Sequence, residues 1–62
     1  MKYGIRTITW GLQQEITAPT EWIEDFQSAC AEARELNQDF SGTLMTAEVI
    51  SESGEVWAGA EL

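Results

Sequence analysis

The N-terminal part of the chain has the spacing of apolar side chains that is typical of β-structure. Residues 2–10 are rich in β-branched and aromatic types, which favour a strand. The apolar positions change parity between Ile5 and Ile8, which indicates either a bulge between them or a strand that is buried on both faces. Residues 12–16 then alternate apolar and polar side chains, so we expect residues 2–17 to form a β-hairpin.

The middle of the chain has the periodicity of an amphipathic helix. Residues 21–37 contain no Gly or Pro, and Thr20, which follows Pro19, is a good N-cap residue. At about 100° per residue, the apolar side chains fall on one broad face of the helix. They are Trp22, Ile23, Phe26, Ala29, Cys30, Ala33 and Leu36. We therefore predict a helix over residues 21–37 whose apolar face, including its two aromatic side chains, contributes to the core.

The C-terminal part of the chain predicts a second hairpin. Residues 43–51 form a strand, Glu52-Ser53-Gly54 is the turn, and residues 55–60 form the last strand. The whole chain, residues 1–62, is thus predicted to be a single small α+β domain. Its element order is ββαββ, or βαββ if the first hairpin is absent, with one amphipathic helix packed on one face of an antiparallel sheet.

One helix covers only one face of such a sheet. Val56, Ala58 and Ala60 are small enough to lie beneath the helix. The opposite face is expected to carry partly exposed apolar side chains, namely Trp57, Leu44, Ile50 and one of Ile8 and Trp10. An exposed apolar patch marks a contact surface, and self-association is its simplest use.

The charge balance restricts the possible partners. The 62 residues include 11 Asp and Glu against 3 Lys and Arg, with no His, for a formal net charge of −8. This surplus argues against direct binding to nucleic acid or to an anionic membrane. No apolar run is long enough to cross a bilayer, and the first residues lack the apolar stretch of a signal peptide. We therefore expect a cytoplasmic protein, located in the bacterial host if a phage encodes it.

Most carboxylates of the predicted helix fall on one side of it. The helical wheel places five of them within about 100°, opposite the apolar face, and Asp39 extends this acidic stripe beyond the helix end. The acidic stripe comprises Glu21, Glu24, Asp25, Glu32, Glu35 and Asp39; Glu48, Glu52 and Glu55 could add to it. The stripe could simply be a solvated helix face, but such faces normally mix both signs of charge. Its single sign favours a binding surface for a cationic partner.

Catalysis and metal binding have little support in the sequence. There is no His for proton transfer near neutral pH, and the five Gly are scattered and form no phosphate-binding loop. The single cysteine, Cys30, lies among alanines on the apolar helix face and is expected to pack in the core. We therefore expect a protein that is not an enzyme and that uses no cofactor and no metal ion.

The helix-then-hairpin half of the chain resembles a known class of small proteins. The resemblance is carried by Trp22–Ala29, Phe40–Met45 and Ser53–Trp57. With the short, acidic chain and the lack of catalytic residues, it is similar to the small accessory proteins of phages and mobile elements, among them the anti-CRISPR proteins. The resemblance implies a non-enzymatic inhibitor that binds a Lys/Arg-rich surface of a CRISPR effector subunit. As an acidic DNA mimic, it would prevent the effector from binding DNA.

A second function is compatible with the same sequence. The chain could be a small homodimeric structural or regulatory adaptor that associates through its exposed sheet face. Trp10 and Trp57 would then be the anchors of the interface, because aromatic side chains carry much of the energy of such contacts. In that case the acidity would serve only to keep the protein in solution.

Overall fold

The computed structural model describes residues 1–59, which form four strands and one helix. In chain order these elements are β1 (Tyr3–Thr9), β2 (Glu15–Thr17), α1 (Phe26–Asp39), β3 (Met45–Ser51) and β4 (Val56–Ala58). The strands make one antiparallel sheet in the order β2-β1-β3-β4. The predicted α+β class and ββαββ order are confirmed. Ala60, which we expected in the last strand, lies outside the described residues.

The central strand β1 carries apolar side chains on both of its faces. It pairs with β3 without a break from Tyr3 opposite Ser51 to Thr9 opposite Met45. No bulge interrupts this pairing, which excludes the first of our two alternatives for the parity change. The second holds only in part, because Gly4 and Ile8 are the fully buried residues of β1 and the rest of the strand is half-buried. Ile5 contributes to the core on the helix side, whereas Ile8 is buried with 2% exposure on the other side of the strand.

Small side chains form the contact between the helix and the sheet. The buried cluster joins residues of α1, β3 and β4, and comprises Ala29, Cys30, Ala33, Ala47, Val49 and Ala58. Alanine methyl groups let the helix approach the sheet closely, and larger, partly buried side chains surround this contact. Cys30 is a free, buried thiol within the cluster, which agrees with the packing role predicted for it.

The helix begins later than the sequence predicts. Its first residue is Phe26, and the N-cap is Asp25 rather than Thr20. The preceding segment follows the outer edge of β1 instead, where the N–H of Tyr3 donates to the carbonyl of Ile23 and the N–H of Ile23 donates back, each at 2.7 Å. These bonds satisfy backbone groups of an edge that would otherwise lack partners, so the segment pairs with β1 rather than adding a helical turn.

The predicted position of Trp22 is therefore wrong, because this residue precedes the helix. Trp22 does not lie on the core face of a helix but remains 43% exposed. A Cβ atom added to Gly4 would lie 3.0 Å from Cζ3 of Trp22 and 2.6 Å from Cβ of Pro19. Because Gly4 alternates with the helix-facing residues of β1, Pro19 and Trp22 cover the opposite face of the sheet at this point.

A bulge in the second hairpin reverses the predicted orientations of Val56 and Trp57, whereas Ala58 lies beneath the helix as predicted. Val49 pairs with Ala58 and Ile50 with Val56, so Trp57 is the extra residue. Trp57 therefore turns to the helix side, where its ring lies 5.6 Å from that of Tyr3, and Val56 turns to the other face. The predictions that Trp57 lies on the uncovered face and that Val56 lies beneath the helix are both wrong.

Candidate functional site

A cleft opens on the helix side of the sheet, between α1 and the segment that precedes it. We call this segment, residues 18–24, the strap. The pairing of Thr7 with Thr17 would bring residue 21 opposite Tyr3 if it continued, but the partner of Tyr3 is Ile23. The strap thus contains two residues more than regular pairing needs, and four of its residues, Ala18, Thr20, Glu21 and Ile23, line the cleft. The space that results measures about 420 Å³.

The walls of the cleft are acidic and its floor is largely apolar. Glu21 comes from the strap, and Glu32, Glu35 and Asp39 come from the helix. The other lining residues are Ile5, Thr7, Thr17, Ala18, Thr20, Ile23 and Leu36. No Lys or Arg lines the cleft, and within residues 1–59 none of its four carboxylates forms a salt bridge. The cleft therefore carries an uncompensated negative charge.

The helical spacing explains why three of these carboxylates meet. Glu32, Glu35 and Asp39 lie at positions i, i+3 and i+7, which share one face of an α-helix. Leu36, between them on the same face, contributes to the apolar lining. The side chains stand next to one another along about 10 Å of helix axis, at 1.5 Å per residue.

The acidic stripe is only partly continuous in the structure. The prediction that five carboxylates share one helix face is wrong for Glu21, Glu24 and Asp25, because the helix begins at Phe26. The strap returns Glu21 to the helical carboxylates across the cleft, whereas Glu24 and Asp25 are not among the lining residues.

Asp25 has a structural contact of its own. Its carboxylate accepts hydrogen bonds from the backbone N–H of Ser28 at 3.2 Å and from the Ser28 hydroxyl at 2.7 Å. The hydroxyl contact, helped by the backbone bonds, lowers the pKa of Asp25 below its ordinary value. Asp25 is thus engaged in starting the helix.

The carboxylates that we considered as additions to the stripe lie elsewhere. Glu48 points to the sheet face opposite the helix and forms an ion pair with Arg6 at 2.6 Å. Glu52 accepts a hydrogen bond from the backbone N–H of Lys2 at 2.7 Å. Glu55 is exposed just before β4. The structure therefore brings none of these three into the cleft.

Among residues 1–59, no helix or further strand covers the sheet face opposite α1. We call this surface the open face. Its strand and strand-end side chains, assigned from the pairing register, are Gly4, Arg6, Ile8, Trp10, Ile16, Leu44, Thr46, Glu48, Ile50 and Val56. Four of the apolar ones remain exposed, by 47% at Trp10, 53% at Ile16, 66% at Leu44 and 48% at Val56.

Sequence reasoning found part of the open face. It anticipated the exposed Leu44 and one of Ile8 and Trp10, but both of these lie on the open face, Trp10 exposed and Ile8 buried. Ile50 lies on this face as predicted but is buried rather than partly exposed, and Ile16 and Val56 were missed. Ile16 was recognisable from the alternation that predicts the first hairpin. Val56 was not, because its orientation depends on the bulge opposite Ile50. Trp10 is held in place by a hydrogen bond from its indole Nε1 to Oγ1 of Thr46 at 2.9 Å.

The described residues contain neither a cluster of metal ligands nor a membrane-spanning helix. In the described part of the chain, no three His, Cys, Asp or Glu side chains are arranged to hold one metal ion. The helix of residues 1–59 is not long and apolar enough to cross a membrane. Comparisons of the chain with protein-family models, with curated proteins and with solved structures give no match.

Proposed function

We propose that this protein is a non-enzymatic inhibitor of the anti-CRISPR type, which binds a Lys/Arg-rich nucleic-acid-binding surface of a CRISPR effector through the acidic cleft. The observation that carries the proposal is that Glu21, Glu32, Glu35 and Asp39 line one cleft whose lining includes no Lys or Arg. The class of target comes from the resemblance of the helix and second hairpin to such inhibitors.

The density of charge along the cleft supports competition with DNA. Duplex DNA carries about one charge per 1.7 Å of axis, or about six over the length of helix that bears the three helical carboxylates. Those three together with Glu21 supply four charges in the same space. The cleft therefore has more than half of the local charge of the duplex, which is enough to attract the same cationic side chains.

The apolar floor of the cleft suits the side chains that such a surface presents. Lys and Arg have aliphatic stems that pack on apolar surface, while their charged ends stay with polar partners. A stem lying against Ile5, Ile23 and Leu36 would carry its cationic end to the carboxylates at the walls. Inhibition then requires no bond to be made or broken, because the occupied cationic residues are no longer available to DNA.

The proposal is tested by charge reversal inside and outside the cleft. Purified CRISPR effector complexes of several types are titrated with the protein while their binding to labelled target DNA is followed by fluorescence anisotropy. The parent is expected to inhibit at least one effector, and inhibition is expected to weaken as salt rises. Glu32→Lys with Glu35→Lys should weaken inhibition by about 10- to 100-fold, since two attractions become repulsions.

A matched pair of substitutions controls for net charge. Glu24→Lys with Glu55→Lys changes the charge of the chain by the same amount at two exposed positions that do not line the cleft. This variant should inhibit within a few-fold of the parent. Equal losses in the two variants, or inhibition that survives reversal in the cleft, would show that the cleft is not the binding site.

A further inference from the structure

We propose that the open face is the interface between two copies of this chain, which associate face to face about a two-fold axis. The proposal goes beyond the function assigned to the cleft, because it concerns the opposite side of the sheet. It rests on three observations: the exposed apolar area of the open face, its charge, and the shortness of the sheet edges.

The exposed apolar area is sufficient for a dimer interface. Trp10, Ile16, Leu44 and Val56 are each about half exposed or more, and Trp22 adds 43% of its surface at the end of the face near Gly4. With about 150–250 Å² for a whole aromatic side chain, the five together offer on the order of 500 Å². Interfaces are about 60% apolar, so this area corresponds to about 800 Å² per partner, which is the usual size of a specific interface.

The charge of the open face suits a second copy of the same chain. Although the chain has a net charge of −8, the strand residues that face this surface in the described part of the chain include one cation and one anion, Arg6 and Glu48. A surface with one charge of each sign is complementary to itself about a two-fold axis, which brings Arg6 of one copy towards Glu48 of the other. The acidic clefts then lie on the outer sides of the dimer, where their mutual repulsion is weakest.

The sheet edges are poorer sites for self-association. The outer strands β2 and β4 are only three residues long each. Edge-to-edge pairing would therefore add few backbone hydrogen bonds, and short edge strands are a common way in which proteins avoid such pairing. The open face, by contrast, extends over all four strands.

The oligomeric state of the full chain tests the proposal. Light scattering after size-exclusion chromatography, in the presence of a reductant, should give twice the 6.9 kDa mass of the chain. The dimer should persist from about 0.15 M to about 1 M salt, because its interface is mainly apolar. Leu44→Glu with Val56→Glu should weaken dimerisation by at least about 100-fold while the circular dichroism spectrum stays unchanged, since both side chains are already exposed in the monomer.

The control places the same two added charges on the helix. Gln27→Glu with Ala31→Glu substitutes exposed residues of α1, away from the open face, and should leave the dimer intact. A parent that is monomeric at every concentration would overturn the proposal. A dimer that survives the Leu44 and Val56 substitutions would also overturn it, as would a dimer that both double variants disrupt equally.

Discussion

Adding one methyl group at Gly4 perturbs the contact between the strap and β1 directly. A Cβ atom at this position would lie 2.6 Å from Cβ and 2.7 Å from Cγ of Pro19, and 3.0 Å from Cζ3 of Trp22. Carbon atoms pack at about 3.5–4.0 Å, so Gly4→Ala forces the strap to move by about 1 Å. The prolyl ring has no alternative rotamer that would turn both atoms aside.

The expected change in the free energy of unfolding of Gly4→Ala is the difference between two opposing effects. Overpacking of this kind costs about 1–3 kcal/mol. Ala is favoured over Gly in a strand by about 0.5–1 kcal/mol, and Gly4 does not have the positive φ that would forbid a side chain. The midpoints of these two ranges differ by about 1 kcal/mol, so the variant should be less stable than the parent by about that amount, which lowers Tm by about 4–8 °C in a domain of this size.

Urea and thermal unfolding, followed by circular dichroism, measure this difference. Gly11→Ala is the matched control, because no atom lies within 4 Å of the Cβ position there; its stability should stay within about 0.5 kcal/mol of the parent. In a double-mutant cycle, Pro19→Gly should relieve at least half of the cost of Gly4→Ala, since it removes the two nearest atoms. A Gly4→Ala variant that unfolds at or above the parent's Tm would refute the packing of the strap against β1.

Three other contacts lead to predictions for the same unfolding assay. Asp25→Ala should lower Tm by a few degrees at neutral pH, because the N-cap hydrogen bonds of the carboxylate stabilise the folded state. The pKa of Asp25 is lowered in the folded state, so this stabilisation is present above the ordinary pKa of 3.8 and is lost as the pH falls through the folded-state pKa. Asn37→Ala should cost about 1–2 kcal/mol, because the amide of Asn37 accepts from the N–H of Ala47 at 2.8 Å and donates to its carbonyl at 3.2 Å. A double-mutant cycle on Arg6 and Glu48, made in the Leu44→Glu and Val56→Glu background in which the open face is in contact with solvent, should give a coupling of about 0.2–1 kcal/mol that decreases with salt, since both side chains are partly exposed in the single chain.

Each of these three predictions has an outcome that would contradict it. An Asp25→Ala variant whose deficit is the same at pH 3 as at pH 7 would show that the carboxylate charge is not involved. An Asn37→Asp variant as stable as the parent would contradict the two-bond contact, because a carboxylate cannot donate to the Ala47 carbonyl. A coupling between Arg6 and Glu48 that does not respond to salt would contradict an ion pair near solvent.

The candidate site was predictable to the extent that it lies on the helix. Glu32, Glu35 and Asp39 share a face wherever the helix begins, because their spacing alone determines their relative direction. Glu21 was correctly predicted to lie near these carboxylates, but for the wrong reason. It was expected on the helix, whereas the strap brings it to the cleft. The exclusion of Glu24 followed only from the structure.

At the second hairpin, too, the sequence predicts some side chains of the open face, and the structure alone shows the others. Because side chains alternate along a strand, Leu44 and Ile50 lie on the same face whichever residues the strand pairs with. The sequence was therefore sufficient to predict that they lie together. The orientations of Val56 and Trp57 depend on one extra residue opposite β3, because a bulge breaks the alternation of side chains at the point where it lies. Ala58, which follows the bulge, keeps its predicted place beneath the helix. Nothing local to residues 55–58 distinguishes the two arrangements.

The amino-acid sequence alone determined the α+β class, the single helix, the second hairpin and the excess of negative charge, and it left the first hairpin open. These features follow from periodicity and turn residues, which act between neighbours along the chain. Only the tertiary structure decided where the helix begins and which carboxylates meet. The reason is that the backbone of Ile23 can either continue a helix or pair with Tyr3, and the pairing depends on a strand that is distant in sequence.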